Sequence, residues 1–171
     1  HLACMALGIN SKSKGLTSPL TFLASANCVE FCGGSVDFID IDSTLCLSPE
    51  LLEQYCDKNG APDVVIPVDF AGVPANLPAI WKLAQKFGFK VIEDAAHSLG
   101  STYTYENNQF ACASCSHSDL AILSFHPVKT ITTAEGGAIT TNDESLAQRL
   151  RLFRSHGMTK DPAILERNDG P

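Results

Sequence analysis

The chain of 171 residues carries a net charge of −7, with 44% hydrophobic and 18% charged residues. That is length enough for one sizeable core, and the balance is that of a folded domain rather than a disordered segment. No run of lysine or arginine exceeds two residues and no apolar run approaches membrane-spanning length, so neither nucleic acid nor a membrane is an expected partner.

The chain opens at His1 inside an apolar segment, Leu2 to Leu7, that reads as the second half of a helix stopped by Gly8. Thr21 to Phe31 has helical spacing and stops at Gly33-Gly34, and Ser35 to Asp40 is a short strand. Ser48-Pro49-Glu50 is a helix start: the serine accepts from an orphan amide, proline suits the first turn, and glutamate favours the positive dipole end. That helix ends near Asn59-Gly60. Asp63 to Val68 is a buried-type strand, Leu77 to Phe87 a helix ended by Gly88, and Phe89 to Glu93 the next strand. Gly100 to His117 is the least regular stretch, either a surface loop or a small hairpin. Asp119 to Phe125 and Gly137 to Thr141 are strands, and a last helix runs from Asn142-Asp143 to about Ser155. Strands alternating with helices predict an α/β fold, a mainly parallel sheet covered on both faces.

Seven cysteines form no small-secreted-domain framework, which predicts free thiols and a cytoplasmic protein. Cys28 and Cys32 share one helix face and are expected to pack as small apolar groups. Cys112, Cys115 and His117 invite a metal reading, but structural zinc pairs two such knuckles and no second C-x-x-C is present, so no metal is expected.

In open α/β sheets ligands bind beyond the carboxyl ends of the strands. That rule marks Asp69-Phe70, Asp94, and Ser124 to Lys129. Pyridoxal phosphate chemistry needs a lysine to hold the aldehyde and move a proton, a carboxylate for the pyridine nitrogen, donors for the phosphate, and an aromatic face. Glu93-Asp94-Ala95-Ala96-His97 and Ser124 to Lys129 contain the first three kinds. Residue types alone leave the matter open, because an aspartate at a strand end also caps helices and a lysine in a threonine-rich loop is ordinarily solvated.

The stretches SPLTFLASANCVEFCG, FIDID, VVIPVDFAGVPANL, VIEDAAHSLGS, DLAILSFHPVKTITTAEGGAITTND and LFRSHGM occur here in one order. In them the chain resembles the DegT/DnrJ/EryC1/StrS family of sugar aminotransferases, which share the large domain of type I pyridoxal-phosphate enzymes. SFHPVKTITTAEGGA with LFRSHGM is most similar to the branch acting on a UDP-linked 4-keto-6-deoxy sugar on the route to pseudaminic acid. The resemblance implies pyridoxal 5'-phosphate as cofactor, a nucleotide-sugar substrate, glutamate as amino donor and a homodimer. It implies Lys129 as the residue that binds the cofactor covalently and Asp94 as the partner of its ring nitrogen. His97 falls at the position that contacts the ring's phenolic oxygen, Ser124 at a phosphate ligand, and Phe22 at the ring stacked on the cofactor.

Each assignment has a plainer counterpart. Phe22 lies at helical spacing with Ala26 and Val29 and would also suit the core; His97 would also suit a structural hydrogen bond. His126 either lines the sugar site or fixes its loop, and His156 reads as a helix C-terminal cap. Gly136 and Gly137 are expected to permit a tight turn. Residues 1–171 read as the central part of the large domain, lacking its phosphate-binding start and the C-terminal small domain. The competing functions are a dehydratase of the same fold, against which Lys129 argues because those enzymes carry histidine there, and a truncated non-catalytic relic.

Overall fold

The computed structural model describes residues 1–159. Six strands form one sheet in the order β2 (Ser35–Phe38), β1 (Lys14–Thr17), β3 (Val64–Ile66), β4 (Lys90–Asp94), β7 (Leu120–Ser124) and β8 (Gly137–Thr140). All neighbours are parallel except β8, which runs antiparallel to β7. Between β4 and β7, β5 (Thr102–Tyr105) and β6 (Asn108–Ala111) make a separate antiparallel hairpin, the second of the two readings of that stretch.

Helices cover both faces, as the alternating pattern implied. On one face α3 (Pro49–Asn59) and α4 (Leu77–Phe87) bury Leu52, Leu77 and Ile80 against Leu16, Val65 and Val91. On the other, α1 (Leu2–Leu7), α2 (Ala24–Glu30) and α5 (Glu144–Arg154) enclose Val29, Val64, Ile66, Ile92 and Leu120. Alternation along a strand puts residues two apart on the same face, so Val91 and Ile92 of β4 serve different cores. Cys28 and Cys32 pack against the second core, as helical spacing suggested. Residues Ala3, Cys4 and Ala6 of α1 are also buried, and α1 lies against α5.

Local chemistry starts the helices where expected. Ser48 Oγ accepts from the Leu51 amide at 3.2 Å, and Asn76 Oδ1 accepts from Ala79 at 3.3 Å. The last helix is capped by Asp143, whose Oδ1 accepts from Ser145 and Leu146 at 2.7 and 3.1 Å. At its other end the helix is capped at Ser155, and His156, read from the sequence as the cap, follows it at φ 59 with its backbone N–H on Phe153 O. Among the described residues no helix is long and apolar enough to cross a membrane.

Two departures from the sequence pattern matter. Strand β1 gave no periodic signal, yet it lies inside the sheet between β2 and β3. Its Gly15 explains both facts: a Cβ there would stand 2.6 Å from Val29 Cγ2, so α2 packs directly on the strand backbone. Helix α2 starts at Ala24 rather than Thr21, and Thr21 to Leu23 form a turn before it. Leu52, on the inner face of α3, is fully buried. Leu52→Ala should therefore cost about 2–5 kcal/mol, read as a lower urea midpoint at unchanged slope; a loss below about 1 kcal/mol would contradict this packing.

Candidate active site

Four neighbouring strands, β1, β3, β4 and β7, end at the same edge of the sheet, and each feeds a loop carrying a candidate residue. Phe22 follows β1, Asp69 and Phe70 follow β3, Asp94 and His97 stand at the end of β4, and Ser124 and Lys129 at the end of β7. The β4–β7 register sets Asp94 opposite Ile122, two residues before Ser124. Parallel pairing is what gathers residues so far apart in sequence.

Asp94 is the best-held of them. It is buried, with Oδ2 accepting from Ser25 Oγ at 2.6 Å and Oδ1 from the Ala96 amide at 3.2 Å. Because Ser25 donates to the carboxylate, the 2.7 Å contact between Thr21 and Ser25 hydroxyls has Thr21 as donor. The turn before α2 is thus tied to the end of β4. Among the described residues no lysine, arginine or histidine pairs with Asp94. A buried carboxylate with only neutral donors is a strong acceptor for a cationic N–H.

Asp94 and Ser25 line one end of a cavity of about 820 Å³ between α1, α2, α5 and strands β7 and β8. Most of its wall is apolar, from Ile66, Ile92, Ile122 and Leu150. Lys129 lies outside that lining, in the loop beyond β7.

Phe22 is 74% exposed, so it does not fill the core as its helical spacing would have allowed. The reason is the shortened α2: Phe22 sits in the turn before it. His97 is half-buried, and its Nδ1 accepts from the Ala71 amide at 3.3 Å. In the neutral ring the proton then sits on Nε2, leaving that N–H as a donor. Ala71 has φ 53, ψ 26, the left-handed region that costs a residue with a side chain about 1–3 kcal/mol. That strained backbone directs the N–H onto His97.

Ser124 Oγ accepts from the His126 amide at 3.4 Å, and the Lys129 amide donates to His126 O at 2.9 Å. The lysine loop is closed at its neck, where Phe125 N donates to Gly136 O at 2.8 Å and Thr133 N to Phe125 O at 3.0 Å. His126 is exposed, with Nδ1 accepting from Val128 N at 3.5 Å, which is the loop-fixing reading. Gly137 is needed for close approach and not for a turn: a Cβ there would stand 2.7 Å from Leu123 O, in the β7–β8 pairing.

Cys112, Cys115 and His117 do not converge. Cys115 Sγ donates to Thr140 O at 3.2 Å, His117 Nδ1 is 2.8 Å from Tyr103 OH, and Cys112 turns toward Asp69 and Glu93. The strand-end rule marked Asp69, and Glu93 stood in the segment read for its carboxylate, but nothing in the sequence paired the two. Asp69 is fully buried, its oxygens accepting from Ser98 Oγ at 2.6 Å and the Ala75 amide at 2.9 Å. Glu93, 2% exposed, accepts from the Ala113 amide at 2.8 Å and from Ser118 Oγ at 3.5 Å. Burial, with the Asp69 charge adding to it, pushes the Glu93 carboxyl up to about 8, and burial raises Asp69 as well. The signal available was an acid close behind each of two short apolar runs, Asp69 after VVIPV and Glu93 after VI.

Over residues 1–168 the sequence matches the DegT/DnrJ/EryC1/StrS aminotransferase family. A Campylobacter jejuni UDP-4-amino-4,6-dideoxy-N-acetyl-beta-L-altrosamine transaminase is 42% identical over 161 residues, 94% of this chain and 41% of that protein. Among solved structures, PseC of Helicobacter pylori, an aminotransferase involved in the biosynthesis of pseudoaminic acid, superposes with a TM-score of 0.80 at 31% identity. That match covers 94% of this chain and 42% of PseC. The Bacillus subtilis protein ntda, with bound cofactor PMP, has a TM-score of 0.80 at 27% identity, covering 94% of this chain and 35% of its own. The chain thus spans about two fifths of the length of the curated relatives it matches.

Proposed function

The chain belongs to the DegT/DnrJ/EryC1/StrS aminotransferase family, and on that premise we propose that the protein it builds moves an amino group from glutamate to a UDP-linked 4-keto-6-deoxy sugar. The observation that carries the reading is Asp94, a buried carboxylate with no cationic partner among the described residues, at the edge where four strands end. The donor set fits pyridoxal 5'-phosphate, which when bound supplies the electron sink for exchange between amine and carbonyl. In this reading Asp94 accepts from the protonated ring nitrogen, and Ser25 and Ala96 hold its oxygens for that contact. His97 donates from Nε2 to the ring's phenolic oxygen, its other nitrogen being engaged by Ala71. Ser124 donates its hydroxyl to the phosphate, and the exposed Phe22 ring covers one face of the cofactor. Lys129 would hold the cofactor covalently, and its amine would be the group that carries the proton.

These residues form the central part of a larger cofactor-binding domain in the proposed protein, which works as a cytoplasmic homodimer. The 171-residue stretch spans about two fifths of the length of its curated relatives, and by itself it is not expected to sustain turnover. The test supplies the full protein with pyridoxal phosphate, glutamate and a UDP-linked 4-keto-6-deoxy sugar. Formation of 2-oxoglutarate matched by an aminated sugar nucleotide is expected. A protein that stays colourless with pyridoxal phosphate and makes no 2-oxoglutarate would instead be a non-catalytic relative.

A further inference from the structure

We infer that Asp69 and Glu93 hold a single proton between them, and that this proton-bridged pair is the positioning element that clamps together the loops bearing Asp94 and His97. Asp69 is 0% and Glu93 2% exposed, and their oxygens, with Cys112 Sγ, lie within 4.8 Å of one another. Two carboxylates enclosed at that range do not both ionise without a compensating cation. Among the described residues none of the surrounding groups supplies one. Toward the pair stand the thiols of Cys46, Cys112 and Cys115 and the phenol of Tyr103, all held in their neutral forms by burial. His117, bonded to Tyr103, is held below the usual histidine range by burial and is neutral as well. Asp94 points to the opposite face of β4, toward Ser25.

The hydrogen bonds decide which acid carries the proton. Asp69 has two good donors, Ser98 Oγ at 2.6 Å and Ala75 N at 2.9 Å, which favour its charged form. Glu93 has one, Ala113 N at 2.8 Å, and a long contact of 3.5 Å to Ser118. Glu93 is therefore the protonated member.

The consequence for the site follows from what Asp69 ties down. Its N–H donates to Asp94 O at 3.1 Å, Oδ2 takes Ser98 beside His97, and Oδ1 takes Ala75 at the far end of its own loop. Within that loop the Ala71 amide holds His97, and Gly72 O accepts from Ser101 Oγ at 2.9 Å. A second charge on Glu93 would place repulsion where the two loops are joined. The folded-state affinity of Glu93 for its proton exceeds that of an unfolded glutamate. Its contribution to stability is thus complete at acid pH, below the ordinary carboxylate range, and is lost as pH rises toward and through about 8.

The positioning half rests on the reading of Asp94 and His97 given above; the proton itself does not. The first measurement is a carbon NMR titration of the full protein with carboxyl-labelled glutamate, the Glu93 signal being assigned by its loss in Glu93→Gln. A protonated carboxyl at neutral pH, titrating near 8, is expected. A Glu93 carboxylate already ionised at about pH 5, or a stoichiometric divalent cation bound at the pair, would overturn the proposal. The second measurement compares pyridoxal phosphate affinity in the wild type and Glu93→Gln, whose amide keeps a donor toward Asp69 but does not titrate. Between about pH 7 and 9 the wild type should lose about tenfold more affinity than the variant, the worth of one strong hydrogen bond. Parallel pH profiles would overturn the positioning role. No cofactor binding in either protein would sink the functional reading instead, with the carbon signal still deciding the proton.

Discussion

Replacing Lys129 by alanine should abolish transamination in the full protein, by at least about 10⁴-fold, while leaving its fold intact. The magnitude reflects two losses at once, the positioned proton carrier, itself worth up to about 10⁴-fold, and the covalent hold on the cofactor. The fold should tolerate the change because Lys129 lies in the loop beyond β7, half-exposed, and its side chain makes no hydrogen bond or ion pair among the described residues. Borohydride reduction of the cofactor-loaded protein followed by peptide mapping gives the complementary result, a label on Lys129. The chief competitor, Lys90, starts β4 at the opposite edge of the sheet and is engaged with Asp119 at 2.8 Å. A label on Lys90 or Lys160 would refute the assignment.

Asp94→Asn should cut turnover by about 10²-fold or more, since a charge-assisted hydrogen bond worth about 1.5–3 kcal/mol goes together with the ring's proton. Folding should survive. Asparagine is nearly the same size, and its amide can donate to Ser25 Oγ once that hydroxyl turns, while its oxygen keeps the Ala96 N–H. The distinguishing measurement is turnover against thermal midpoint in the same preparation. Near-normal turnover with an unchanged midpoint would leave Asp94 as a structural cap that serves Ala96 and α2.

How far the sequence carried depended on whether the deciding interaction was local. Helices α3 and α4 were legible because the Ser48 cap of α3 and the stops at Gly60 and Gly88 lie within a few residues of an amphipathic run. Strand β1 was not, because Gly15 removes the side-chain pattern a strand is recognised by, and the reason for that glycine is Val29 on another element. The start of α2 was misplaced for a related reason: Thr21 spends its hydroxyl on Ser25, which holds Asp94.

The same division holds at the site. The sequence by itself determined the helices and the strands apart from β1 and the β5–β6 hairpin, the strand-end positions of Asp94 and Ser124, and, through ordered motifs, the family. It could not decide what Phe22 faces, because helical spacing is equally compatible with a core residue and an exposed turn; only the tertiary structure leaves that ring open. Nor could it join Asp69 to Glu93. In sequence the two acids stand 24 residues apart on different strands, and their approach comes from the parallel register of β3 with β4 and from the pleat that turns Glu93 and Asp94 to opposite faces. Propensities and caps are properties of neighbouring residues. Burial, and the sharing of a proton between two acids, depend on which strands lie side by side, which no window of sequence contains.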